Sequence, residues 1–190
     1  MSDHTILEDP PKGPTRSGAR NLVEWAVIIG GALLVALVVK IFLLQAFYIP
    51  SLSMSPTLDI QDRVLVNKVS YDMHNINRGD VVVFKSPPTN QGGEIKDLIK
   101  RVVGLPGETI ETRNGRVVVD GVELEESYLQ PGIGPGPPVE SQVIPRGHVF
   151  VMGDNRPNSK DSRSFGPIPE TLVVGRAFVK VWPVTDLGLL

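Results

Sequence analysis

The sequence predicts a mostly β chain, an antiparallel β-sheet domain preceded by one apolar N-terminal helix. Three observations carry that prediction. Residues Trp25 to Val39 form an uncharged apolar run, and short β-branched runs recur beyond residue 60. The chain also holds 19 glycines and 17 prolines in 190 residues, a turn-rich composition that favours β structure over a helical bundle.

Residues 1–20, with Pro10, Pro11, Gly13 and Pro14, read as a disordered tail. Residues 21–47 read as a membrane anchor. Lys40 interrupts the apolar run, and Ile41-Phe42-Leu43-Leu44 resumes it. A helix from Trp25 to Phe47 would span roughly 34 Å at about 1.5 Å per residue, enough to cross a hydrocarbon core. Lys40 lies near one end, where its stem can reach the headgroups. Trp25 at one end, and Phe47 and Tyr48 at the other, suit the two interfaces. The run has no polar face, which argues against the core helix of a soluble domain. The nearest cleavage-like triplet, Leu44-Gln45-Ala46, has leucine at its outer position, which argues against a cleaved leader. Lys12, Arg16 and Arg20 precede the helix, so the N-terminus is expected in the cytoplasm of a single-pass protein. Residues 48–190 are then expected on the extracytoplasmic side of the cell membrane.

Seven runs read as strands: Arg63–Lys68, Val81–Lys85, Leu98–Val103, Arg116–Val119, Val149–Met152, Leu172–Val174 and Ala177–Trp182. Asn114-Gly115 and Asp120-Gly121 are hairpin signals, because both residue pairs tolerate the positive φ that such turns need. Two stretches read as irregular loops, Ser86–Gly93 and Pro131–Pro138.

Composition narrows the chemistry. The net charge of -2 gives no basic excess for nucleic acid. Cysteine is absent, which removes disulfides, thiolate metal sites and a cysteine nucleophile. There is no Gly-x-Ser-x-Gly elbow and no His-Glu-x-x-His pair. No metal and no cofactor are expected. The three histidines, His4, His74 and His148, give a serine triad no support.

Three segments could carry chemistry. Ser51-Leu52-Ser53-Met54-Ser55 is a serine-rich turn between Pro50 and Pro56, and by composition it fits a linker equally well. Lys100 lies in the apolar run Leu98–Val103, where strand alternation puts it with Leu98 and Val102 and opposite Arg101. A desolvated lysine loses its proton more easily and can serve as a general base; a solvated edge lysine would not. Gly153–Arg163 is dense in polar side chains and could be a loop stitched by an Asp161–Arg163 ion pair.

Taken together and in order, these segments resemble the bacterial type I signal peptidases (leader peptidases), which remove signal peptides from exported preproteins. The matching stretches are Ile49–Leu58, Asp62–Lys68, Arg78–Phe84, Ile99–Gly107 and Gly153–Arg163, followed by Phe165-Gly166-Pro167-Ile168-Pro169. The resemblance implies a serine–lysine peptidase that acts on signal-peptide-bearing preproteins beside membrane lipid and near the export machinery. It implies Ser53 as nucleophile and Lys100 as general base, working through an acyl-enzyme. It further implies Ser51 and the Ser53 backbone N–H as the oxyanion hole, Ser159 as the residue that orients Lys100, Asp161 with Arg163 as a bracing ion pair, and Met54 packed beneath the nucleophile. Three features depart from the family pattern. Leu52 and Gln61 stand where glycine is usual, and the stretch from Gly107 to Gly153 is short.

Overall fold

The computed structural model describes residues 18–90 and 95–190. The tail expected at 1–20 lies, up to residue 17, outside the described residues, and its last three residues, Gly18–Arg20, are helical instead; residues 91–93 of the loop expected at Ser86–Gly93 also lie outside the described residues. The chain divides into two compact units, Met1–Val39 and Lys40–Leu190.

In the first unit, helix α1 spans Gly18–Val38. Its stretch Arg20–Val38 is long and apolar enough to cross a membrane. Leu22, Trp25, Ile28 and Leu33 are exposed on it. Arg20 and Glu24 form an i,i+4 ion pair at 3.5 Å in its first turns.

The second unit begins with a π-helical segment that extends to Leu43. Among the described residues twelve strands follow: β1 (Leu44–Tyr48), β2 (Arg63–Asn67), β3 (Val81–Lys85), β4 (Asp97–Gly104), β5 (Thr109–Arg113), β6 (Arg116–Val119), β7 (Val122–Glu123), β8 (Gln142–Val143), β9 (His148–Met152), β10 (Ile168–Pro169), β11 (Val173–Trp182) and β12 (Gly188–Leu189). Two single-turn helices, α2 (Ser70–Met73) and α3 (Ser162–Phe165), interrupt them. The larger sheet runs β1-β2-β11-β3-β4-β9-β10, with β12 added to β11; the smaller runs β7-β6-β5-β8. Every pairing is antiparallel.

Two sequence expectations need correction. The anchor helix expected to reach Phe47 is α-helical only to Val38 and π-helical to Leu43, and Leu44–Tyr48 form a strand paired with β2 in the register Leu44↔Asn67 to Tyr48↔Arg63. A short apolar run fits a helix or a strand equally well, and only a partner strand decides between them. Phe47 packs against the core cluster that holds Ile49 and Met54. The runs at Leu172–Val174 and Ala177–Trp182 are not two strands. From Val173 they form one, β11, with register shifts against both neighbours.

Both hairpin signals hold. Asn114 and Gly115, between β5 and β6, have φ of 52° and 77°, and Asp120 and Gly121, between β6 and β7, have 49° and 81°. Paired positive φ values match the twist of the flanking strands.

The core lies in three clusters. One gathers Ile49, Met54 and Leu58 under β2 and β3. Another fills the space between the two sheets' strands with Val103, Ile110, Ile144 and Phe150. The last packs Phe84, Val102, Val151 and Phe165. Strand β4 is central to all of this. Every residue from Ile99 to Gly104 is buried, so a polar side chain there is removed from water on both faces of the sheet.

Candidate active site

The nucleophile candidate sits on a turn that the core pins down. Ser51 is extended, and Leu52–Met54 form one 3₁₀ turn closed by Ser55 N donating to Leu52 O at 3.1 Å. Met54 and Leu58 are fully buried beside it, anchoring the turn from below. Leu52 is accommodated because a 3₁₀ turn needs no positive φ.

The Gly153–Asn155 segment grips this turn from the other side. Asn155 N donates to Ser53 O at 3.1 Å, and Asn155 Nδ2 donates to Leu52 O at 3.0 Å. Thr57 Oγ1 donates to Asp154 Oδ2 at 2.6 Å. At Gly153 a Cβ would overlap Ser159 Oγ and the Ser53 carbonyl oxygen, so only glycine allows the segments to approach this closely.

Lys100 reaches the turn from the middle of β4, where it is paired with Val82 of β3. Its Nζ lies 2.6 Å from Ser53 Oγ and donates to Ile99 O at 2.8 Å. Lys100 is 3% exposed and Ser53 is 8% exposed. Burial pushes the Lys100 ammonium from its ordinary 10.5 down to about 8, against the opposing pull of Asp161 and Asp154. Ser51 Oγ stands 3.3 Å from Ser53 Oγ.

Two buried ion pairs flank the lysine. Arg163 meets Asp161 through Nε to Oδ1 at 2.8 Å and Nη2 to Oδ2 at 2.7 Å. Asp161 also accepts from the backbone N–H groups of Gly153 and Arg163, at 3.0 and 3.2 Å. The second pair is Arg101 with Asp154, forked through Nε at 3.0 Å and Nη2 at 2.7 Å. The Arg101 guanidinium carbon also lies 4.2 Å from the Tyr128 ring centroid. Sequence reasoning placed Arg101 opposite Lys100 but missed its partner. Alternation fixes a side of the strand and says nothing of what faces it.

Ser159 does not make the contact expected of it. Its Oγ is buried without a hydrogen-bond partner, and the partners of Lys100 are Ser53 Oγ and Ile99 O. The other expected site residues, Ser51, Ser53, Met54, Lys100, Asp161 and Arg163, converge here. A groove of about 610 Å³ opens over Ser51, Ser53 and Lys100, lined also by the apolar Leu52, Ile60, Ile95 and Leu98 and by the polar Asn90, Asn158 and Lys160. Leu98 and Lys100, two apart on β4, both face it. Among the described residues no group of acidic and histidine side chains could hold a metal ion.

A buried hydroxyl against a buried amine of lowered basicity, in the wall of a groove, can perform nucleophilic chemistry on an acyl group. Known proteins share this chain's pattern. The family described as signal peptidase, peptidase S26, matches residues 22–182. Signal peptidase I of Leptolyngbya laminosa is 40% identical over 202 residues, covering 100% of this chain and 95% of that protein. Probable signal peptidase I-1 of Synechocystis is 44% identical over 84% of this chain and 82% of that one. Signal peptidase IB of Staphylococcus aureus is 33% identical over 88% of this chain and 93% of that one. With a family match across most of its length and relatives of this similarity, the chain belongs to the signal peptidase family, peptidase S26, a family of serine-type peptidases.

Proposed function

We propose that the chain is a membrane-anchored signal peptidase I that cuts signal peptides from exported preproteins with Ser53 as nucleophile and neutral Lys100 as general base. The observation that carries this reading is the 2.6 Å approach of Lys100 Nζ to Ser53 Oγ inside a dry site. Ser53 Oγ attacks the carbonyl carbon of the scissile bond while its proton passes to Lys100 Nζ. The tetrahedral intermediate collapses to an ester on Ser53, and Lys100 returns the proton to the leaving amine. Water, deprotonated by Lys100 Nζ, then attacks the ester carbonyl carbon, the bond to Ser53 Oγ breaks, and Lys100 returns the proton to Ser53 Oγ.

The developing oxyanion is met by the Ser53 N–H and by the Ser51 hydroxyl, which turns from Ser53 Oγ to the substrate oxygen. One such donor is worth on the order of 3 kcal/mol in the barrier. Ser159, whose buried hydroxyl has no other partner, orients Lys100 once Ser53 has given up its proton. Asp161 with Arg163 braces the segment that carries Ser159. The apolar lining of the groove takes the extended substrate residues before the cut, small at the first and third positions.

Helix α1 serves as the anchor, with its N-terminus cytoplasmic and the β domain outside. The substrate's own apolar segment enters the same bilayer, so lipid and the export machinery are the surroundings in which the cut is made. The test is cleavage of a labelled preprotein by the detergent-solubilised full chain. Ser53→Ala and Lys100→Ala each abolish turnover while the circular dichroism spectrum is kept. Turnover retained by either folded variant removes the dyad.

A further inference from the structure

We propose that the glycine–proline loop, residues 131–138, is a positioning strap for the general base, holding Arg163 on Asp161, with Gly136 as the residue that lets it close. The inference rests on the reading of Lys100 as that base. Arg163 uses Nε and Nη2 on Asp161, which leaves Nη1, and Nη1 donates to the carbonyls of Pro135 at 3.3 Å and Pro137 at 3.4 Å. The guanidinium is thus held at both ends, by the carboxylate and by the loop. Gly136, between those two prolines, has φ of 66°, and a Cβ there would overlap the Arg156 carbonyl oxygen and Arg163 Nη1. Two separate features therefore require glycine, the left-handed backbone and the close approach.

The loop is tied down at its far end as well. Thr112 of β5 takes the Val139 N–H on its Oγ1 at 2.9 Å and gives its own N–H to Val139 O at 2.9 Å. Val139 is itself part of the core. Prolines at 135, 137 and 138 restrict the backbone between. A loop fixed at one end in the small sheet, stiff in the middle and bonded to one arginine at its turn can hold that arginine in place.

Charges around Lys100 make the position matter. Asp161 and Asp154 favour its protonated form. Arg163 offsets the first and Arg101 the second, while Arg156 also acts on Asp154 and Lys160 lines the groove. When Arg163 leaves Asp161, the carboxylate acts on Lys100 with less compensation, and the amine holds its proton to higher pH.

The test measures kcat/KM against pH for the full chain in detergent, on a labelled preprotein with alanine at the first and third positions before the cut. Gly136→Ala is expected to move the acid limb upward by about half a pH unit or more, and to lower kcat/KM on that limb by roughly threefold, with KM within about twofold. In an Arg163→Lys background, Gly136→Ala is expected to add no further shift, because the loop works through that arginine. If Gly136→Ala does not fold, the Pro135→Gly, Pro137→Gly double variant, which loosens the loop and adds no atoms, must give the same upward shift. An unmoved limb in the folded variant, or an additive shift in the Arg163→Lys background, overturns the strap. Failure of the dyad reading looks different: Lys100→Ala keeps turnover, or the wild type shows no acid limb at all.

Discussion

Lys100 Nζ stands 2.6 Å from Ser53 Oγ, although the two residues are 47 apart in the chain and come from different kinds of backbone. One lies on the buried stretch of a central strand, the other on a 3₁₀ turn. The sheet supplies the dry surroundings, and the turn supplies a hydroxyl that the core keeps in one place. The arrangement sets the direction of several measurable effects.

The pH profile is one. Lys100 must be neutral to accept a proton, and burial brings its pKa to about 8. The acid limb of kcat/KM should therefore rise with pH and level off above about 8. Measured over pH 5 to 10, a profile already level at about pH 5 contradicts a lysine base.

The same amine should also set how stability depends on pH. Its folded pKa lies below the unfolded value, so the folded chain binds fewer protons than the unfolded chain between about 8 and 10.5. The contribution is fully favourable above 10.5 and is lost as pH falls through about 8. At pH 7 the lysine is thus destabilising, by an amount on the order of 3 kcal/mol. Lys100→Met, which keeps length without charge, is expected to raise stability at pH 7 by about 1–2 kcal/mol while abolishing activity. Denaturant midpoints of both chains at pH 7 and pH 10 check this, since the gain must shrink at the higher pH. A variant less stable than wild type at pH 7 contradicts the account.

Breaking the neighbouring pair should do the reverse. The Arg101 and Asp154 side chains are 7% and 0% exposed. Asp154→Asn leaves the guanidinium buried without its counter-charge and weakens the hold on Thr57, a loss of about 3–5 kcal/mol. Arg101→Lys does not restore the fork, because an ammonium cannot bond both carboxylate oxygens in that plane. Thermal unfolding of the two variants would show it: a midpoint for Asp154→Asn within a degree or two of wild type rules out a structural role for the pair.

Which of these features the sequence could show depends on the range of the physics involved. Hairpin turns at Asn114-Gly115 and Asp120-Gly121 depend on two adjacent residues, and they were legible. Strand β3 was read to the residue, because its β-branched run has a glycine and aspartate before it and prolines after. The pairing of Ser53 with Lys100 was implied by the family resemblance; the residues alone left a linker serine and a solvated edge lysine open. Arg101–Asp154 and Arg163–Pro135 were not legible, since each joins segments whose meeting is decided by the sheet. Strand β1 was missed for a related reason. Leu44–Tyr48 satisfy a lipid helix and a sheet edge equally, and the choice belongs to β2.

Gln61 offers a test of a departure visible in sequence alone. The family resemblance implies glycine at this position, and the φ of Gln61 is 76°. Its N–H donates to Ile49 O at 3.0 Å, and Ile49 N–H donates to Asp62 O at 3.0 Å, so this left-handed residue closes the ladder that delivers the chain to Ser51 and Ser53. A non-glycine residue in this conformation costs about 1–2 kcal/mol. Glycine relieves that cost but loses roughly 0.5–1 kcal/mol through the greater freedom of its unfolded chain. Gln61→Gly is therefore expected to raise stability by up to about 1 kcal/mol, with kcat/KM unchanged, because the Gln61 side chain is exposed and stands outside the groove. Gln61→Val, whose branched Cβ tolerates positive φ least, should lose at least about 1 kcal/mol. The order Gly above Gln above Val in urea midpoint is the signature of backbone strain. If glycine instead proves the least stable of the three, the side chain is contributing a contact, and the positive φ is not the term that decides.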